Sequence, residues 1–118
     1  AFFDAADTTN EAGKAFVDGF TKWVAEDATR VENNGGVSDV ISSVTPCGYD
    51  AYMAAVNAIE KAGSTEGAAI RDALAALEVK GLVTGDLKFD ENGDAIKTYA
   101  VIKTIKDGDI VYYSTYNG

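Results

Sequence analysis

Histidine is absent from this chain of 118 residues, and cysteine and proline each occur once. Without histidine the chain cannot form a Ser-His-Asp or Cys-His catalytic site. The single cysteine, Cys47, cannot form a disulfide within the chain, and no basic residue stands beside it in sequence to activate its thiol. We therefore expect no catalytic residues, and we expect Cys47 to be a small buried residue at the start of a helix.

The motifs that bind metals and cofactors are also missing. The chain has no CxxC pair, no HExxH sequence and no glycine-rich phosphate loop. The stretch Asp90-Glu91-Asn92-Gly93-Asp94 has some features of a calcium loop, but it lacks the twelve-residue ligand spacing and the closing glutamate. We predict a plain turn at this stretch, and we predict that the protein is not an enzyme and uses neither a metal nor a cofactor.

Basic residues are few, and this excludes two classes of partner. With 19 acidic and 10 basic residues the formal charge is −9. Nucleic-acid binding depends on cationic contacts to phosphates, and docking on an anionic membrane surface depends on the same charges. The apolar share of 47% is that of a globular protein. Because the chain begins at Ala1 without a methionine, we expect it to be a processed or truncated piece.

The first quarter of the chain predicts a short strand and a helix. Residues 1–7 favour the strand, and Thr8 with Glu11 then forms a capping box. Apolar residues at helical spacing predict an amphipathic helix from about Thr9 to Ala25. We expect its aromatic residues, Phe16, Phe20 and Trp23, to lie in the core. The polar stretch 26–36 is interpreted as a linker or turn, and residues 37–44 fit neither helix nor strand.

Two further helices are predicted in the middle of the chain. Thr45 followed by Pro46 is typical of a helix start, with the hydroxyl as the cap. This helix is rich in alanine, and Gly63 ends it as a left-handed cap. We predict that its buried face is formed by Tyr52, Val56 and Ile59. A third helix is capped by Ser64 and Thr65, and its inner face carries Ile70, Ala73, Leu74 and Leu77.

After residue 78 the pattern changes from helix to strand. Residues 87–89 alternate in polarity, and a long strand pattern covers residues 99–105. Asp107-Gly108 is a strong hairpin signal, and residues 110–113 supply the returning strand. We expect residues 114–118 to be frayed. The predicted fold class is α/β, with about three helices packed on a small sheet and an antiparallel hairpin at the C-terminus.

Several segments occur in the order that is typical of one family. They are Ala15-Phe16-Val17-Asp18-Gly19-Phe20, Gly48-Tyr49-Asp50-Ala51-Tyr52, Ala58-Ile59-Glu60-Lys61-Ala62-Gly63, Ile70-Arg71-Asp72-Ala73-Leu74 and Gly81-Leu82-Val83-Thr84-Gly85-Asp86-Leu87-Lys88-Phe89-Asp90-Glu91-Asn92-Gly93-Asp94. Over residues 2–113 the chain resembles the C-terminal part of the substrate-binding proteins of ABC transporters for leucine, isoleucine and valine. These proteins have the type I periplasmic-binding fold.

The resemblance implies a two-lobed protein of which residues 1–118 are a single incomplete unit. Residues 1–43 would then supply a strand, a helix and a linker of the second lobe. Residues 44–92 would return to the first lobe with two helices and a strand, and residues 93–118 would form a hairpin of the second lobe. The chain would cross between the lobes near Val44 and at residues 93–98.

The resemblance also implies a site and a function. In relatives, the segment before the Tyr-Asp helix contacts the ligand, so the expected ligand-binding residues are Val44, Thr45 and Tyr49. The other interpretation of Tyr49 and Asp50 is a packed tyrosine and an aspartate that complements the helix dipole. Pro46-Cys47 departs from the family pattern, so the identity of the solute is left open.

The implied protein is an extracytoplasmic component of an ABC importer for branched-chain or similar small amino acids. Its implied partners are a small amino acid and the permease subunits in the membrane. We expect the piece by itself to lack most of the pocket and to form a homodimer through exposed strand edges. Two alternatives remain open: a ligand-binding sensor domain of a receptor or regulator with the same fold, and a small acidic module for protein–protein interaction.

Overall fold

The computed structural model describes residues 1–118 and confirms the mixed α/β class. Four helices are followed by five strands: α1 Glu11–Ala25, α2 Ala28–Asn33, α3 Thr45–Ala62, α4 Gly67–Ala75, β1 Glu78–Val79, β2 Leu87–Phe89, β3 Ala95–Ile96, β4 Tyr99–Lys106 and β5 Asp109–Asn117. None of the helices has the length and hydrophobicity needed to cross a membrane. Compared with the prediction, α2 is an additional helix within the expected linker.

Helix α1 ends at Ala25 as predicted, but a different residue caps its start. The side chain of Asn10 accepts a hydrogen bond from the backbone N–H of Gly13 at 3.1 Å. The prediction of Thr8 as the cap is therefore wrong. The preceding backbone is held instead by Asp7, which accepts from the backbone N–H and the hydroxyl of Thr9. This local turn delays the helix by two residues relative to the predicted start.

The six-residue helix α2 is stabilised by side chains that sequence patterns do not reveal. Asp27 caps it by accepting hydrogen bonds from the backbone N–H groups of Thr29 and Arg30. The Arg30 guanidinium lies 4.3 Å from the centre of the Trp23 ring and also donates to the Trp23 carbonyl at 2.9 Å. A polar stretch can form a helix here because capping and this cation–π contact replace an apolar face.

Helix α3 buries its small residues, so the predicted buried face is wrong. The buried positions are Pro46, Asp50, Ala54 and Ala58, whereas Tyr52 is 67% exposed and Ile59 is also exposed. Methyl side chains let the helix axis approach its neighbours closely. The same close approach leaves no room for larger side chains on that face.

The ends of α3 agree only partly with the sequence pattern. Gly63 adopts a left-handed conformation (φ 59°) and ends the helix as predicted. At the other end Val44 occupies the cap position and no side chain caps the helix, so Thr45 is its first residue rather than its cap. Cys47 lies in the first turn and is exposed, which corrects the prediction that it is buried.

Helix α4 and the three-stranded sheet form one apolar core with α3. The N-cap of α4 is Glu66, so the prediction of Ser64 and Thr65 as caps is wrong, although the Ser64 hydroxyl accepts from the Glu66 N–H. Strands β1, β2 and β3 pair in sequence order and all antiparallel. The buried cluster between these helices and strands consists of Ala54, Leu77, Leu82 and Leu87. We call residues 45–96 the helical unit.

The C-terminal hairpin forms a separate two-stranded sheet. Strands β4 and β5 pair antiparallel along their whole length, with a bulge between Ile102 and Lys103. The turn at Asp107-Gly108 and the turn at residues 90–94 are confirmed. Because β5 continues to Asn117, the expected fraying of residues 114–117 is wrong. Residues 1–7 form no strand, yet Ala1 exchanges two backbone hydrogen bonds with Val101 beside this hairpin.

Candidate functional site

The three predicted ligand residues lie at the start of α3, within little more than one helical turn. Val44 occupies the cap position and its side chain is 69% exposed. Thr45 is half-buried, and Tyr49 is 46% exposed. No side chain caps this helix, Pro46 has no N–H, and the N–H groups of Thr45 and Cys47 donate to the carbonyls of Ser42 and Val44, so the helix start offers mainly the positive end of its dipole. Such an end favours a carboxylate or another negative group.

An aromatic groove lies beside this helix start, and Tyr49 is one of its walls. The Tyr49 ring lies 5.4 Å from that of Phe16, which in turn stacks on Phe20 at 5.8 Å. The Trp23 ring follows at 6.1 Å from Phe20. The groove has a volume of about 780 Å³ and also contacts residues 79–83. We use the name aromatic groove for the space bounded by these four rings.

The groove changes the interpretation of its aromatic residues. The prediction that Phe16, Phe20 and Trp23 lie in the core is wrong, because the two phenylalanines are only half-buried and Trp23 is 52% exposed. Neither Val44 nor Thr45 lines the groove. The structure therefore brings Tyr49 to the aromatic rings of α1 and leaves the other two predicted residues on the adjoining surface.

The buried carboxylate of Asp50 fixes this helix start to a distant segment. It accepts hydrogen bonds from the backbone N–H of Val83 at 3.0 Å and from the backbone N–H of Thr84 at 2.8 Å. The Thr84 hydroxyl donates a third at 2.6 Å. The expected role of Asp50, an aspartate that complements the helix dipole, did not include these three hydrogen bonds. Three donors satisfy the carboxylate and offset the cost of burying it.

Lys97 reaches the same cluster from the connection between β3 and β4. Its ammonium group donates to the Thr84 hydroxyl at 2.8 Å and makes no salt bridge. Burial lowers the pKa of Lys97, and the nearby charge of Asp50 opposes that shift. Lys97, Thr84 and Asp50 therefore form a continuous chain of hydrogen bonds from the β3–β4 connection to the start of α3.

A second buried carboxylate, Asp7, joins the N-terminal segment to the hairpin. The hydroxyls of Tyr99 and Thr115 both donate to it, in addition to Thr9. Burial raises the pKa of Asp7, but these hydrogen bonds outweigh burial and bring the pKa down to about 2. Burial and the negative charge of Asp7 together raise the pKa of Tyr99 to about 12.

Sequence reasoning missed most of these polar contacts. Asp50 was recognised as the second residue of a Tyr-Asp pair, but its partners are 33 and 34 residues away. Lys97 carries no sequence signal, because a lone lysine after a short strand is typical of solvated surface. No group of three or more Cys, Asp or Glu side chains is arranged to hold a metal ion.

The comparisons with known proteins agree with the fold. The family described as the receptor family ligand binding region matches residues 6–107. The crystal structure of the leucine binding protein LivK from Thermotoga maritima superposes with a TM-score of 0.69 at 26% sequence identity. The superposition covers 99% of this chain but only 29% of LivK. Among curated proteins, none matches the chain significantly.

These matches confirm the predicted fold and the predicted kind of protein. The matched family is one of ligand-binding regions, so the prediction of a binding protein rather than an enzyme is confirmed at the level of the family. The resemblance to leucine-binding proteins inferred from the ordered segments is likewise confirmed. The chain belongs to the receptor family of ligand-binding regions, with the type I periplasmic-binding fold.

Proposed function

We propose that this chain is the C-terminal part of the solute-binding component of an ABC importer for branched-chain or similar small amino acids. The observation that supports this most strongly is the similarity of 99% of the chain to a leucine binding protein. In this proposal the protein acts outside the cytoplasm and delivers its solute to permease subunits. Ligand capture proceeds by closure of two lobes about a hinge, without covalent chemistry.

The division into lobes is part of the proposal. Residues 1–43 and 99–118 belong to one lobe and residues 44–96 to the other, so the boundary expected at residues 92–93 moves to the end of β3. The separation of the two sheets supports this division, because only Lys97 and Thr98 lie between the end of β3 and the start of β4. We infer that the second crossing lies at these two residues, since β3 still pairs with β2.

The ligand contacts proposed for this chain are Val44, Thr45 and Tyr49. The exposed side chain of Val44 and the uncapped start of α3 support them. In the proposed arrangement, the positive end of the α3 dipole faces the carboxylate of the amino acid, and the Val44 side chain faces its apolar part. The remaining contacts come from parts of the protein outside residues 1–118.

Calorimetry of leucine and valine binding tests this proposal. In the complete protein that carries this chain, Val44→Asp places a carboxylate beside the ligand and is expected to weaken binding at least about tenfold. Ile110→Asp, at an exposed hairpin position, is the matched control and should leave binding unchanged. The 118-residue chain alone should show no binding. Micromolar binding by that chain, or equal affinity in the two variants, would contradict the proposal.

A second candidate function is a ligand-binding sensor domain, and the family description as a receptor region favours it. The fold and the capture mechanism are the same in both candidates. They differ in what is attached to the binding region. A transmembrane helix or a signalling domain in the complete gene product identifies the sensor, whereas an isolated binding protein with a signal peptide identifies the importer component.

We also propose that residues 1–118 by themselves form a homodimer. Large apolar side chains are exposed along the hairpin, among them Ile102, Ile105 and Ile110. Exposed apolar surface of this kind favours association. Gel filtration with light scattering is expected to give twice the mass of one chain. A monomer at all concentrations would contradict the homodimer and would favour a small acidic interaction module.

A further inference from the structure

The short segment Leu82–Gly85 is the point at which the separate parts of the molecule meet. Its first three residues are all buried, at 6%, 2% and 2% exposure. It follows β1 and precedes β2, so it belongs to the helical unit by sequence. Its contacts nevertheless extend to α1, to α3, to the β3–β4 connection and to the hairpin. We call residues 82–85 the junction.

On one side, the junction is tied to α1 and to the hairpin. The Asn10 side chain, which caps α1, donates to the Val83 carbonyl at 2.9 Å. Gly85 has a positive φ of 84° and packs directly against Tyr99, the first residue of β4. A Cβ atom on Gly85 would lie 2.6 Å from the Tyr99 Cβ. Both contacts come from the part of the chain that we assign to the other lobe.

On the other side, the junction is tied to α3 through Asp50. Three hydrogen bonds from Val83 and Thr84 hold this carboxylate. Asp50 follows Tyr49 directly and lies about 1.7 turns after Val44, the first of the proposed ligand residues. Any movement of the junction must therefore displace the start of α3 or break hydrogen bonds to a buried charge, which is costly.

Lys97 connects the proposed crossing to this arrangement. The Thr84 hydroxyl donates to Asp50 and accepts from Lys97, so a single oxygen atom joins the crossing to the carboxylate. The Lys97 side chain is half-buried, and its ammonium group has no carboxylate within salt-bridge distance. Lys97 differs from a solvated surface lysine because it lies at the proposed crossing and donates a hydrogen bond to the buried Thr84.

We propose that Lys97 is a positioning residue that sets the orientation of the ligand segment Val44–Tyr49 relative to the hairpin, acting through Thr84 and Asp50. This inference rests on the proposed function, because it assigns these residues to the ligand segment and the crossing. Lys97 is not one of the proposed ligand contacts. It restrains the angle at which the helical unit and the hairpin meet, and that angle determines how the ligand segment faces the other lobe.

The test compares Lys97→Met with two matched variants of the 118-residue chain. Methionine keeps most of the length and the apolar stem but removes the ammonium group. Lys97→Arg restores the charge and the donor. Lys88→Met makes the same change at an exposed lysine on β2, nine residues earlier, whose side chain is in no salt bridge.

Residual dipolar couplings of backbone amides measure the relative orientation of the helical unit and the hairpin. In the unsubstituted chain both parts should fit one alignment tensor. In Lys97→Met they should require two, with shifted amide signals at residues 44–49. Exchange of the Val83 and Thr84 amide hydrogens should become about tenfold faster, as expected when a charge-assisted hydrogen bond is lost. Lys97→Arg and Lys88→Met should behave as the unsubstituted chain.

A single tensor and unchanged signals at residues 44–49 in folded Lys97→Met would overturn the proposal. If that variant does not fold, Lys97→Leu, which lacks the ammonium group and any other hydrogen-bond donor, is judged by the same two criteria. Because no amino acid is added in these measurements, their outcome does not depend on whether the complete protein binds leucine. Failure of the proposed function appears instead in calorimetry of that protein.

Discussion

The helical unit and the hairpin are stabilised by different kinds of interaction. In the helical unit, α3, α4 and the three-stranded sheet enclose an apolar cluster around Ala54, Leu77 and Leu87. The hairpin has no such cluster, and all of its residues from 102 to 110 are exposed. It is attached to residues 1–7 by polar contacts: hydrogen bonds of Tyr99, Val101 and Thr115, and an ion pair between Lys103 and Asp4.

This difference indicates in which part of the chain the stability depends on pH. The free energy gained by apolar burial is insensitive to pH. The strength of hydrogen bonds to a buried carboxylate depends on whether that carboxylate is ionised. A sheet attached at one end by polar groups is also freer to change its angle than one enclosed in a core. Substitutions in the two regions should therefore differ in size and in their dependence on pH.

The largest effect is expected in the helical unit. Leu87→Ala removes a buried side chain of the central strand and should lower the free energy of unfolding by about 3 to 4 kcal/mol. The matched control is Ile105→Ala in the hairpin, where the side chain is 74% exposed in the single chain; at concentrations low enough to keep the chain monomeric, the expected loss is below about 0.5 kcal/mol. Urea unfolding followed by circular dichroism measures both. Equal losses would show that the hairpin has a buried core of its own.

An intermediate effect is expected where the two regions touch. Gly85→Ala places a methyl group against Tyr99 and also strains a left-handed backbone, so we expect a loss of about 2 to 3 kcal/mol. Gly93→Ala has a similar φ of 86° but open space around it, and should cost about 1 kcal/mol. Thermal unfolding of the two variants separates crowding from backbone strain. Equal melting temperatures would mean that Gly85 and Tyr99 do not pack tightly.

The smallest of the three effects varies with pH and concerns Asp7. Because its pKa in the folded chain, about 2, is lower than its ordinary value of 3.8, folding favours the ionised form. That contribution, about 2 kcal/mol, is present above pH 4 and is lost as the pH falls toward 2. Asp7→Asn should lose most of this stability at neutral pH and show a flatter acid profile. Urea unfolding between pH 2 and 7 measures it.

The control for the acid profile is Asp18→Asn, which removes the same charge from an exposed position of α1. This variant should keep the loss of stability between pH 4 and 2. If Asp7→Asn keeps it as well, the hairpin is not held by the Asp7 carboxylate, and the contrast between the two regions fails.

The elements with strong local signals were predicted correctly. The end of α1 at Ala25, the left-handed cap at Gly63 and the hairpin turn at Asp107-Gly108 follow from short-range chemistry. The ordered family segments also predicted the type I periplasmic-binding fold. The errors occur where two local signals compete or where burial decides. Asn10 replaced Thr8 as a cap because the Asp7–Thr9 turn occupies the backbone before it.

The amino-acid sequence by itself determined the order of the three longer helices and the C-terminal hairpin, the positions of the main turns and the absence of histidine-based catalysis. Only the tertiary structure decided which faces are buried. The alanines of α3 face the core while Tyr52 faces solvent, because close packing selects small residues. It also decided that Asp50, Thr84 and Lys97 act together. Their separations in sequence exceed any local periodicity, so only the folded backbone brings them together.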